Sequence, residues 1–314
     1  MLFTIFLLKF FIEVTIVINF ILLSLKLLIL QIIGFIYLLL RILLLGLERI
    51  FLKKNEEDNS TAVSSLFFLV AALALSPGLF WVDTWSFSPK YLLFAVLSSS
   101  LYAVGFFAYV RAISIGEISL IASLYNSSIF WLMILGLLFL GDHVTLVRIL
   151  GGGIMFLGVI LLYPGSLETK LMELKNSRAS LLMIFGSVFI ALGRTIDSYV
   201  ISEFIDPILY SFLINLFIGI LLLLALLVKG DRWALASLRK KPLLAAGIVN
   251  GWSYLLLLLA IGILEVTVAE PASLLSVFVT AILAKYYLGE NIEQRMVGIV
   301  TMIIGAIILT LSIP

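Results

Sequence analysis

The chain is a succession of long apolar runs cut by short polar breaks. Read by length and hydropathy, the runs predict helical spans at residues 2–24, 28–52, 62–82, 91–112, 118–140, 144–163, 179–202, 207–228, 242–263, 267–288 and 295–313. Each approaches the roughly 20 apolar residues a helix needs to cross a hydrocarbon core about 30 Å thick. The alternating pattern of a membrane barrel is absent, so the expected class is all-α and polytopic. Most breaks are well marked, by LKKNEEDNST, SFSPK, GDH, YPGSLETK, KGDRWALASLRKKP and GENIEQR. The first is not. No glycine or proline lies between Leu2 and Ile33, and only Ser24, Lys26, Gln31 and Gly34 suggest a turn. Residues 1–25 carry no small-residue cleavage pattern and are read as a retained, extra N-terminal hydrophobic helix.

The pattern then repeats itself. At an offset of 148, Ala112 meets Ala260, Glu117 meets Glu265, Ser119 meets Thr267, Ser128 meets Ser276, Phe130 meets Phe278, and Leu140-Gly141-Asp142 meets Leu288-Gly289-Glu290. At 147, Gly151 meets Gly298, Gly158 meets Gly305, and Leu45-Gly46 meets Leu192-Gly193. The expected organisation is an extra helix at 1–25, a first five-helix repeat at 26–164, a linker at 165–178 and a second five-helix repeat at 179–314. An odd number of crossings per repeat forces the copies into opposite orientations, giving a ten-helix core of two inverted halves. Such pairs recur in secondary transporters, with the solute site near the midplane where the halves meet.

Composition fixes the solvent and removes whole classes of function. Hydrophobic residues make up 63% of the chain and charged residues 12%, with a mean hydropathy of +1.26. A soluble domain has roughly 45–50% and 25%. The lipid bilayer is therefore the first expected partner, and a net charge of +2 gives no reason to expect nucleic acid. Cysteine is absent, which removes disulfides and thiolate metal sites. The one histidine, His143, falls in a loop, and no zinc-protease, triad or phosphate-loop motif is present. No enzyme activity, cofactor or metal is expected.

An apolar span, then LGD or LGE, a short polar loop and a glycine-marked closing span occur twice, as GDHVTLVRILGGGIMFLGVILL and GENIEQRMVGIVTMIIGAIILTL. This order resembles the EamA-type repeat of the drug/metabolite transporter superfamily, over all but the first 25 residues. Glu270-Pro271 is similar to the acidic-proline start of that family's ninth helix; Ser123 stands where its first half often has proline, and its tryptophan-glycine cluster on the first helix is missing. The resemblance implies a ten-helix permease for a small metabolite, working by alternating access in a cell membrane, expected here to be a prokaryotic inner membrane.

Basic residues set the expected orientation. One side of the ten-helix core holds Arg49, Lys53, Lys54, Arg111, Lys170, Lys175, Arg178, Lys229, Arg232, Arg239, Lys240, Lys241, Lys285 and Arg295, the other only Lys26, Lys90 and Arg148. The family's usual orientation would put the crowded side outside, against the positive-inside rule. An outward crossing by residues 2–24 flips every later helix and resolves the conflict, predicting eleven crossings, a cytoplasmic N-terminus and Pro314 outside. The alternative lays residues 1–25 in the interface and leaves ten crossings.

Charges buried in lipid mark candidate chemistry, because each costs at least about 2.5 kcal/mol at a bilayer centre. Arg194 and Asp197, three apart on one helix face, are the first candidates, as a substrate-binding pair or as a structural ion pair. Asp197 and Glu270 are the expected coupling carboxylates for a proton-driven or exchange cycle, Glu270 alternatively a helix cap. Lys285 is expected to snorkel. Tyr102 and Tyr109, with Gly105 between them, together with Tyr125, Asn126, Asn250, Trp252 and Tyr254, are the expected uncharged lining of the solute site, Asn250 aligning with Tyr102 at an offset of 148. Asn215 and Tyr210 are weaker candidates. Arg41 and Glu48, seven apart, are read as packing partners of Glu13. The glycines at seven-residue spacing in the closing spans are expected to support the bundle or a homodimer contact. A lipid head-group flippase, a channel and a scaffold remain alternatives to the carrier.

Overall fold

The computed structural model describes residues 2–55, 59–82, 89–140, 145–163, 165–202, 206–236, 240–264, 266–273 and 275–311, and among these the regular structure is all helical. His143 and Asp142 lie outside them. Among the described residues seven stretches are long and apolar enough to cross a membrane, and Ile149–Leu161 and Leu275–Leu288 are shorter apolar helices.

The first helix departs from expectation. Instead of two spans divided near Ser24, α1 runs unbroken from Leu2 to Lys53. The reason lies in the sequence already quoted: without glycine or proline, nothing before Gly34 breaks the backbone ladder. At about 1.5 Å per residue, 52 residues extend roughly 78 Å, more than twice a hydrocarbon core, so this helix holds no pair of antiparallel crossings. Residues 28–32 are exposed, and burial against the bundle begins at Gly34.

The remaining helices are α2 (Ser60–Leu75), continued by a 3-10 turn to Trp81, α3 (Pro89–Ile115), α4 (Ile118–Tyr125), α5 (Ser127–Leu135), α6 (Leu146–Leu161), α7 (Leu167–Asn176), α8 (Arg178–Ser202), α9 (Pro207–Val228), α10 (Lys240–Ile261), α11 (Val266–Ser273), α12 (Leu275–Leu288) and α13 (Met296–Leu311). Polar side chains start several of them. Asn59 accepts from the amides of Thr61 and Ala62, Ser166 from that of Thr169, and Asp206 from those of Ile208 and Leu209, with Pro207 opening α9.

The two halves run in opposite directions. Lys53, ending α1, donates to the carbonyls of Ile113 and Gly116 at the end of α3. Gly116 in turn faces Ala179, where α8 begins. Thus α1 arrives at the end of the bundle from which its repeat counterpart α8 departs. In the same way α4 begins where α12 finishes, since Glu290 accepts from the amides of Ile118 and Ser119. Packing follows this pseudo-symmetry: α1 lies on α10 and α3 on α8, α2 on α9, and α6 on α13. The α6–α13 crossing uses the paired glycines. A Cβ on Gly298 would stand 2.6 Å from the amide nitrogen of Leu162, and one on Gly305 2.7 Å from the carbonyl oxygen of Gly151. The glycine seam therefore joins the halves within one chain.

Basic residues gather at one end. Lys53, Arg178 and Arg295 flank the contacts just described, Lys229 lies over the Phe107 ring, and Lys285 pairs with Glu293 at 3.3 Å in an exposed position.

Candidate functional site

A helix break marks one wall of the candidate site. The first-half span is interrupted at Asn126, between α4 and α5, and Tyr125, the last residue before the break, faces the interior between the halves. A broken helix leaves backbone groups and side chains available around a shared interior.

A polar hollow lies there, lined by Arg41, Leu45, Glu48, Phe106, Tyr109, Tyr125, Arg194, Asn250 and Ser253. It holds about 10 Å³ for the centre of a water-sized sphere, room for roughly one water. Its aromatic wall is the run Phe106 to Tyr109 to Tyr125, with centroids 5.9 and 5.2 Å apart, and Tyr102 continues the run beyond the hollow, 5.6 Å from Phe106.

Arg194 joins the hollow to a second polar cluster. Its Nε is 2.9 Å from Glu270 Oε1 and its Nη1 3.6 Å from Asp197 Oδ2, and its guanidinium lies 5.5 Å over the Tyr102 ring and 5.1 Å over that of Tyr254. A cation this deep is tolerable because two carboxylates and two ring faces replace the lost water. Asp197, fully buried, sits behind it in a cage of hydroxyls. Its Oδ1 accepts from Ser98 and Tyr210, both at 2.8 Å, and its Oδ2 from Tyr102 at 2.6 Å and Tyr254 at 2.7 Å. Five helices (α3, α8, α9, α10 and, through Glu270, α11) are tied at this point. Close packing makes it possible: a Cβ on Gly193 would stand 2.8 Å from the Tyr102 ring, so only glycine there lets that tyrosine lie across α8.

Several expectations are thereby relocated. Arg194, Tyr109, Tyr125 and Asn250 line the hollow. Asp197, Tyr102 and Tyr254 form the cage beside it, with Tyr210. Asn250 also donates to Asn215 at 3.1 Å, and Asn215 donates to the carbonyl of Ser211, carrying the polar network into α9. Asn126 is buried at the break in the first half. Trp252 does not join the site: it is 47% exposed on the outer face of α10, because its immediate neighbours Gly251 and Ser253 are the ones turned inward. The space beside Gly105 is taken by α8, whose Gly186 carbonyl oxygen would stand 2.9 Å from an added Cβ.

The site residues that the sequence reading did not assign to the site lie on α1. Arg41 donates through Nε to Ser273 Oγ at 3.0 Å and through Nη1 to the Ser253 carbonyl at 3.1 Å, tying α1 to α11 and α10. Glu48 lines the hollow and accepts from Tyr109 at 3.4 Å. Arg49 donates to Ser276 and Thr280 on α12, at 3.3 and 3.0 Å, and lies 5.2 Å over the Tyr125 ring. The signal was present in the sequence, since Arg41 and Glu48 break an apolar span as Arg194 does; what misled was reading them as partners of an additional helix.

At the basic end the halves are locked together. Besides the two amides of α4, Glu290 accepts from Ser119 Oγ at 2.6 Å, and Arg295 pairs with Glu117 and with Glu290. The acidic residue of the second LGE motif thus caps a helix of the other half.

Among curated proteins none matches by sequence. Among solved structures, one titled only as the crystal structure of a protein aligns with a TM-score of 0.55 at 13% identity, covering 90% of this chain and 96% of that one, which is a likeness of fold. The model of the EamA-like transporter family matches residues 32–163 and again residues 177–311, leaving out the start of α1. Two matches in succession, over the two halves that the structure sets antiparallel around one polar hollow, mean that this chain belongs to the EamA-like transporter family.

Proposed function

We propose that the chain is a secondary active transporter that moves a small metabolite by alternating access through the hollow between its halves. The observation that carries this reading is the position of the hollow: charged side chains from α1 and α8, one helix of each inverted repeat, face the same buried space. A bilayer-embedded bundle tolerates such groups where they meet a solute or line a water-filled path. With room for roughly one water, the conformation is occluded. The solute would enter when the halves rock apart, engaging Arg41 and Arg194 with an anionic group and Tyr109, Tyr125 and Asn250 with its polar or ring portions. Asp197 is read as the group that holds Tyr102, Tyr254 and Arg194 in place.

The basic end is taken to face the cytoplasm. That puts the end of α13 on the other side, as the sequence suggests, while the return crossing expected of residues 1–25 requires a turn that α1 does not contain. Because the chain has no cysteine, single introduced cysteines report this without background. Lys229→Cys should react with impermeant maleimide only from the cytoplasmic side.

A flippase would need a lateral opening into the hollow. The apolar crevice on the bundle's side, lined by Phe130, Trp131, Met155 and Phe156 among others, shares no lining residue with it, which favours the soluble-metabolite reading. Counterflow in proteoliposomes, over metabolites first selected by their ability to raise thermal stability, tests the proposal. Saturable counterflow lost in Arg194→Gln supports a carrier; conductance that never saturates would point to a pore and refute it.

A further inference from the structure

Three carboxylates are buried around the hollow, and their surroundings separate them. Asp197 has both oxygens filled, by four hydroxyl donors and Arg194. Glu270 is engaged with Arg194 at 2.9 Å. Glu48 lines the hollow itself, and among the described residues its one hydrogen bond is the long contact from Tyr109 and no cation lies within ion-pair distance of it. Building on the carrier reading above, we propose that Glu48 is the proton-carrying group of the transport cycle, and that its proton travels with an anionic solute.

The argument rests on access and charge balance. A group that hands a proton from one side of the membrane to the other must reach the space that opens in turn to each side. Glu48 does, and the caged Asp197 does not. The groups facing Glu48 are Arg41 and Arg49 from its own helix, Tyr109 from α3, Tyr125 from α4 and Arg194 from α8, with Tyr254 of α10 and Glu270 of α11 on the far side of Arg194; α12 presents Ser276 and Thr280. With Arg41, Arg49 and Arg194 against Glu48, Asp197 and Glu270, the cluster is formally neutral. A proton added to a Glu48 oxygen leaves one positive charge in excess. A single negative charge on the solute then restores neutrality, and moving a neutral assembly through the low-dielectric middle costs least. On release the proton returns to water from the same oxygen and the solute leaves as it came, so nothing is consumed. By reciprocity, an anion in the hollow must favour the protonated form of Glu48 as strongly as that form favours the anion.

Infrared difference spectroscopy of the full chain in liposomes, stepped between mildly basic and mildly acidic pH, reads the protonated carboxyl stretch directly and needs no knowledge of the natural solute. The expected result is a protonated-carboxyl band in the native chain that is lost in Glu48→Gln and kept in Glu270→Gln. Should Glu48→Gln fail to fold, Glu48→Asp must shift the band in frequency. Acetate, used as a minimal carboxylate probe, must strengthen the native band. A band absent from the native chain, unchanged in both Glu48 variants, or indifferent to acetate overturns the proposal. Because no gradient or flux is involved, a chain that titrates at Glu48 but shows no counterflow sinks the carrier reading alone, whereas saturable counterflow with an untouched band in Glu48→Gln sinks this one.

Discussion

Asp197→Asn is the substitution that most directly tests the hydroxyl cage. Asparagine keeps the shape but turns one acceptor oxygen into a donor and removes the charge. Two of the four hydroxyls that now point at the carboxylate, either Ser98 with Tyr210 or Tyr102 with Tyr254, would face an amide N–H and must rotate to accept from it. Hydrogen bonds to a charged acceptor contribute about 1.5–3 kcal/mol each, and neutral replacements about half as much. Arg194 would keep Glu270 at 2.9 Å and lose the 3.6 Å attraction to Asp197, so the full cost of about 3–5 kcal/mol for an orphaned buried charge is only partly incurred. Together these give a loss of about 3–5 kcal/mol. Differential scanning fluorimetry of the purified chain in nanodiscs should show the apparent melting temperature falling by roughly 5–10 °C. Tyr210→Phe, which removes one donor and leaves the acceptor three others, should cost only about 1 kcal/mol. A melting temperature for Asp197→Asn within about 1 °C of the native chain, or equal to that of Tyr210→Phe, would refute the cage as the structural centre of the bundle.

Other consequences can be checked with the same preparations. Glu290→Gln keeps the size of the α4 cap but weakens its bonds to two amides, Ser119 and Arg295, so it should lower stability by about 1 kcal/mol and raise maleimide labelling of Ala112→Cys at the basic end; unchanged labelling would mean the contact does not hold that end shut. Gly298→Leu forces a side chain against the Leu162 backbone and should cost more than about 3 kcal/mol in thermal or denaturant stability, whereas Gly153→Ala, with no heavy atom within 4 Å of the added carbon, should be neutral or slightly stabilising. Trp252→Ala, on the outer face, should leave the affinity for any metabolite found by thermal shift within about twofold, while Asn250→Ala should weaken it about tenfold, the loss of one hydrogen bond to a buried solute; the reverse order would restore the lining expected from sequence.

The amino-acid sequence by itself determined the solvent, the helical class, the repeat and the opposed orientation of its halves. Each follows from local or periodic information: apolar runs of membrane length, turn residues between them, and a phrase that returns 148 positions later. It also named Arg194, Asp197, Tyr102 and Tyr254 as functional candidates, because a charge or hydroxyl in lipid is conspicuous wherever it occurs. It did not sort them. Whether an aspartate lines a cavity or is sealed behind three tyrosines depends on which helices cross at Gly193, and that crossing joins residues about a hundred positions apart. For the same reason Trp252 looked like a wall of the site and faces outward, while Glu48, read as a packing partner of Glu13, lines the hollow, and Arg49, counted only as a basic residue, bonds α12. The continuity of α1 lies between the two cases. Its missing glycines and prolines were visible, but the basic residues counted against an unbroken helix, and backbone hydrogen bonding, which acts over four residues, prevailed over a charge distribution spread across the whole chain.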